Sequence, residues 1–172
     1  MRSIRRNDDR GLRCVLIALI AVAFLGACDR PMVPTPPVSP PSATGPRVVF
    51  PDGFGVHVEI AADDATREQG LMYRDQLLPD KGMIFIFSIS GVYPFWMKNT
   101  LIPLDMIWID DSRHVVHIEA NVQPCKADPC PSYPPGASAR YVLEVAAGVA
   151  AQHHLATGSL LTFVGLDHVV VR

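Results

Sequence analysis

The chain has 172 residues, with 15 Lys and Arg against 17 Asp and Glu, 49% hydrophobic and 19% charged residues. That length suits one domain at roughly 100–200 residues each, and the composition excludes general disorder. Balanced charge leaves no basic excess to neutralise phosphates, which argues against a nucleic-acid partner. No apolar run reaches the roughly 18 residues of a strong membrane-span candidate.

Residues 1–13 hold Arg2, Arg5, Arg6, Arg10 and Arg13 against Asp8 and Asp9, and an apolar run from Cys14 to Leu25 follows. A basic segment, a short apolar segment and small residues describe an export signal. Leu25-Gly26-Ala27-Cys28 resembles a bacterial lipobox. This predicts a signal peptide over 1–27, cleavage before Cys28 and a diacylglycerol on its sulfur. Cleavage after Ala27 by ordinary signal peptidase fits less well, because Leu25 is not small. Two or three acyl chains at about 0.8 kcal/mol per buried CH₂ would anchor the chain stably. Asp29 resembles the residue that retains enterobacterial lipoproteins on the inner membrane, and leans the expected location that way.

Residues 28–46 follow as a tether, with seven prolines among Ser, Thr and Val. Such composition favours extended polyproline II over a core. At roughly 3.1 Å per residue it spans some 50 Å. Removing 1–27 takes away five arginines and two aspartates, leaving 10 basic and 15 acidic residues, a net −5. A mildly acidic domain is not drawn flat onto an anionic bilayer. The expectation is a tethered domain facing the periplasm.

Residues 47–172 carry the folded domain. Val56, Val58 and Ile60 alternate with His57 and Glu59, the pattern of a half-buried strand. Asp63 and Asp64 offer N-caps for a short helix through Gln69, stopped by Gly70. Gly82 to Phe87 reads as a buried strand. Leu104 to Ile109 and His114 to Glu119 read as a hairpin around Asp110-Asp111-Ser112. Tyr141 to Val145 predicts a strand, Ala146 to Leu155 a helix, Ser159 to Val164 a strand, and Val169 to Val171 an edge strand. Several short strands with two short helices make the domain mainly β, an antiparallel open barrel or a sandwich.

The order of Arg67-Glu68-Gln69-Gly70-Leu71-Met72-Tyr73-Arg74, Gly82-Met83-Ile84-Phe85, the run from Phe95 to Asp110, and Tyr141-Val142-Leu143-Glu144 resembles domain-of-unknown-function family 192. The hexad Phe95-Trp96-Met97-Lys98-Asn99-Thr100, followed by Pro103-Leu104-Asp105, carries most of the specificity. The resemblance covers Val56 to Gly165 and implies a small, mostly β domain of the kind often found behind a signal peptide or lipobox. It implies no reaction.

On a strand, Trp96, Lys98 and Thr100 would share one face and Phe95, Met97 and Asn99 the other. An indole beside an ammonium suits stacking and hydrogen bonding to a small polar ligand or sugar. The ligand-binding candidates are therefore Trp96, Lys98, Asn99, Thr100 and Asp105. In the competing reading Trp96 is core, Lys98 pairs with Asp105 across the Pro103 turn, and Asn99-Thr100 serve loop backbone. Lys98 and Asp105 could also form an acid–base pair, but no serine has a nucleophile-elbow context, so catalytic residues are not assigned. His114 and His117, three apart, fall on opposite strand faces. His153 and His154 read as partly exposed cations at a helix end. Met72, Met83, Met97 and Met106 read as core filling, and no metal or other cofactor is implied.

Cys125 and Cys130 remain once Cys14 leaves with the signal and Cys28 takes the lipid. An even pair in an oxidising compartment predicts a disulfide. Beyond them, Tyr133-Pro134-Pro135 offers a lid over the Trp96 face. The expected function is binding of a small polar ligand or envelope partner by a lipid-anchored, extracytoplasmic domain. The alternatives are an envelope enzyme using Lys98 and Asp105, and a structural accessory without a ligand.

Overall fold

The computed structural model describes residues 45–172. The expected signal peptide, the lipidation site Cys28, Asp29 and nearly all of the tether lie outside the described residues. Strands β1 (Arg47–Val49), β2 (Gly55–Ala61), β3 (Lys81–Gly91), β5 (Leu104–Ile109), β6 (Val115–Val122), β8 (Ala139–Ala146) and β9 (Thr162–Val164) form one sheet. Their order is β6-β5-β8-β3-β2-β1-β9, and β4 (Phe95–Trp96) pairs separately with β7 (Ser132–Tyr133). Among the described residues no helix is long and apolar enough to cross a membrane.

The sheet curls into a half-barrel. Beyond the ends of its two edge strands, His114 and Leu160 form an antiparallel bridge. Hydrogen bonds from Val115 N to Ser159 O (2.9 Å) and Leu161 N to Arg113 O (3.0 Å) hold that seam. Pairing is antiparallel throughout except between β2 and β3, which run parallel. A parallel pair needs a crossover, and residues 62–80 supply it. They include helix α1 (Asp64–Gln69), whose N-cap Asp63 accepts from Thr66 N at 2.9 Å. Gly70 ends α1 at φ +48°, and a Cβ there would stand 3.2 Å from the Phe85 ring. The backbone conformation thus calls for glycine, and a Cβ would press on the ring.

Period-two alternation divides the core in two. Val48, Val56, Ile84, Ile107, Val115, Leu143 and Phe163, one from each strand of the sheet, belong to a cluster inside the curl. The next residues along β3, β5 and β8, including Phe85, Met106, Trp108 and Val142, form a second cluster on the opposite face. Leu71 from the crossover and Met97 cover that second face.

Some elements are shorter than the sequence predicts. Helix α2 is confined to Val149–Gln152 after Gly148 in the left-handed region, and Leu155 folds back to bond Ala150 O. Residues 169–171 add no strand; Val169 and Val171 pack on the inner cluster, while Arg172 N donates to Ala62 O. His153 is partly exposed, as the sequence reading has it, but it does not stand free. Its ring stacks on Phe54 at 3.7 Å and its Nδ1 lies 2.7 Å from Asp52 Oδ2.

Candidate functional site

On the second face, three strands place Met83, Glu144 and Met106 side by side in register. Two are apolar and one is an acid. Glu144 is only 4% exposed, and no group among the described residues hydrogen-bonds or ion-pairs with its carboxyl. Burial alone pushes it up from 4.5 to about 8, because a low-dielectric setting disfavours the charged form. The carboxyl is therefore mostly protonated at neutral pH, an O–H donor with no acceptor.

Glu144 lines a cavity of about 260 Å³. Its apolar walls come from β3 and the segment that follows, namely Phe85, Phe87, Tyr93 and Phe95, with Trp96 at the exposed edge. These rings brace one another: Phe87 and Tyr93 stack at 3.6 Å, and Phe85 meets Phe95 edge-on at 4.8 Å. Trp108 beneath them donates its Nε1–H to Tyr93 O at 2.9 Å. Such mutual packing holds a wall in one shape before anything binds.

Arg67 of α1 also faces the cavity. Its guanidinium is already committed, to Ile86 O (3.1 Å), Asp64 Oδ1 (2.6 Å) and Arg172 O (2.9 Å). It lies over the Phe87 ring and ties α1 to β3. Lys98 is different. Its Nζ lies 5.4 Å from the Trp96 ring centroid, and among the described residues no carboxylate is within ion-pair distance.

The hexad that the sequence reads as a strand pairs only through Phe95 and Trp96. A turn follows, with Thr100 N donating to Met97 O (3.2 Å) and Asn99 at φ 55°. Asn takes this left-handed conformation more readily than most residues. The turn still brings Trp96, Lys98 and Thr100 to the cavity, while Asn99 lines an adjoining shallower groove together with Trp96 and Lys98. Asn99 O accepts from Tyr73 N at 2.8 Å, joining this turn to the segment after α1. There Arg74 forms a two-pronged ion pair with Glu59, which holds Glu59 below and Arg74 above their ordinary values.

Asp105 is not with the other four. It points from β5 to the inner face, between Leu104 and Met106 on the outer one. It is fully buried, accepting from Asn121 N (2.8 Å) and Ala150 N (2.9 Å). Its carboxyl ties β6 and α2 to β5, and it neither pairs with Lys98 nor lines the cavity. The residues that sequence reasoning missed are Glu144, Arg67, Phe87 and Tyr93. Glu144 left one sequence signal, an acid inside the apolar run Tyr141 to Val145, which by itself does not tell a buried acid from a solvent-facing one.

Cys125 and Cys130 form the expected disulfide, with Cα atoms 5.6 Å apart. Tyr133 does not cover Trp96. It pairs beside Phe95 in the β4–β7 ribbon and packs on the second cluster. Cys125 N donates to Met97 O (3.4 Å), so the bridged loop supports the cavity's outer wall from behind.

Residues 48–163 match the model of domain of unknown function 192, described as an uncharacterized ACR. The chain belongs to that family. Two solved structures are similar to this family 192 domain. One, a protein of Sinorhizobium meliloti 1021 described as a candidate transcription regulator, is 36% identical, with a TM-score of 0.62 over 69% of this chain and 91% of the other. A protein of unknown function from Novosphingobium aromaticivorans DSM 12444 is 30% identical, with a TM-score of 0.61 over 75% of this chain and 94% of that one. No curated protein matches.

Proposed function

We propose that this family 192 domain binds a small polar ligand in the cavity beneath Trp96, and does so outside the cytoplasm on a lipid anchor. The carrying observation is Glu144, an acid only 4% exposed whose carboxyl faces open space and, among the described residues, meets no protein partner. Burying an unpaired polar group costs free energy, and an apolar side chain at this position would serve packing better. A ligand that accepts the Glu144 proton donor removes that cost. The braced rings, and Lys98 with no carboxylate partner among the described residues, supply an apolar wall and a charge, the composition of a small-molecule site. The cavity lies below the roughly 300–1,000 Å³ of typical sites, so the ligand is small.

Trp96, Lys98 and Thr100 serve as ligand contacts together with Glu144, and Asn99 shapes the turn. Asp105 belongs to the scaffold, so the acid–base pairing of Lys98 with Asp105 is not assembled and an enzyme reading has no pair to rest on. The envelope part of the proposal is supported by the sequence alone: the basic and apolar leader, the lipobox-like Leu25 to Cys28, and the proline-rich tether. A regulator role like the one in the S. meliloti protein's description gains no support from the balanced charge.

Native and denaturing mass spectrometry of the chain from Asp29, exported to an oxidising compartment, tests the binding reading. The wild type should carry extra mass that survives native spraying and vanishes on denaturation, and Glu144→Leu should lose it while remaining folded. Both proteins bare of ligand, with Glu144→Leu less stable than the wild type, would instead make Glu144 part of the packing.

A further inference from the structure

We propose that the ligand is a small carboxylate, held by a hydrogen bond from the Glu144 carboxyl inside the cavity and balanced by the Lys98 ammonium on the same walls. This deepens the reading above and rests on it. The charged and titratable groups facing the cavity are Asp64, Arg67 and Glu68 from α1, Tyr93 and Lys98 from the segment covering it, and Glu144 from β8. The flanking strands put Met83 and Met106 beside Glu144, neither of which titrates. Asp64 is spent on Arg67. Glu68 is exposed, where water screens it.

What remains among the described residues is one O–H donor without a protein acceptor and one half-buried cation without an anion. Both ask for the same thing, an oxygen carrying negative charge. An amine would place a third cation beside Lys98 and Arg67. A neutral alcohol could accept from Glu144 but would leave Lys98 unbalanced. The apolar rings set the rest of the ligand: a flat or compact hydrocarbon body against Phe85, Phe87 and Phe95.

The acid also sets a pH dependence. With burial holding Glu144 at about 8, it donates below that value and repels a carboxylate above it.

The probes are benzoate, benzyl alcohol and benzylamine, three rings of one size and different charge. Each is titrated into ¹⁵N-labelled protein and followed through the amides of residues 95–100 and 142–145. At about pH 6, benzoate should bind at least about tenfold more tightly than benzylamine, since about 1.4 kcal/mol of charge preference suffices. Between about pH 6 and about pH 9.5 its affinity should fall about thirtyfold, because only the protonated acid donates. Glu144→Gln, which keeps a donor but cannot ionise, should show a fall of less than about twofold. Lys98→Met should weaken benzoate several-fold more than it weakens benzyl alcohol. Tighter binding of benzylamine would overturn the carboxylate class while leaving a ligand site in place, and native mass spectrometry judges that site separately. Equal affinity for all three, or none for any, would also overturn it.

Discussion

Replacing Glu144 by Gln removes an ionisation and little else, which makes its effect on stability calculable. In the folded protein the carboxyl is held near 8, against 4.5 for an exposed glutamate. Between those two values the folded chain keeps a proton that the unfolded chain has released. Unfolding therefore becomes easier as pH rises through that window, and the effect is complete only above about pH 8. Each pH unit in the window is worth about 1.4 kcal/mol. The wild type should lose about 3 kcal/mol relative to Glu144→Gln between pH 4 and pH 7, and about 5 kcal/mol by pH 9. That is a large fraction of the roughly 5–15 kcal/mol of a typical domain. Urea unfolding of both proteins at several pH values reads the difference directly, because every other titrating group cancels. A difference that stays flat with pH, or a wild type that gains on the variant as pH rises, would refute the reasoning. Either result would mean that the folded carboxyl is solvated or paired.

Three further outcomes follow from other parts of the structure. Asp105→Ala leaves a buried and a part-buried backbone N–H without acceptors and should cost about 3 kcal/mol, read by urea unfolding, while benzoate affinity in the folded fraction stays unchanged. Replacing both Cys125 and Cys130 by Ser opens a short loop worth about 2 kcal/mol. It should also shift the amides of residues 95–100 in a ¹⁵N spectrum, because that loop backs Met97. Cys28→Ala should abolish acyl labelling and release the protein from the membrane fraction, whereas retained labelling would contradict the lipobox reading.

Local signals in this chain were readable wherever neighbours in sequence decide the outcome. Asp63 and Gly70 bound a helix because a cap and a left-handed stop act within one turn. The Asp110-Asp111-Ser112 turn joins β5 to β6 for the same reason. The hexad was half legible: its aromatic start pairs as a strand, but Asn99 was the turn signal that strand periodicity obscured. Asp105 misled because Pro103 suggested proximity to Lys98. The alternation of Leu104, Met106 and Trp108 against Ile107 and Ile109 already put it on the other face.

Glu144 belongs to a different class. A lone acid in an otherwise apolar strand looks like a solvent-facing residue of a half-buried strand. It becomes a buried donor only when β8 is central, with β3 and β5 on either side and the crossover above. That arrangement depends on a parallel pairing between β2 and β3, which is set by tertiary packing rather than by any local motif. The absent strand at 169–171 has a similar origin, since Val169 and Val171 pack on the inner cluster and Arg172 N donates to Ala62 O.

The most direct measurement is the titration of the Glu144 carboxyl itself, by ¹³C NMR of side-chain-labelled protein, free and with saturating benzoate. The midpoint should lie near 8 in the free protein and move higher with benzoate, because the ligand binds the protonated form. A midpoint near 4.5, unmoved by benzoate, would show a solvated acid and contradict the proposed site.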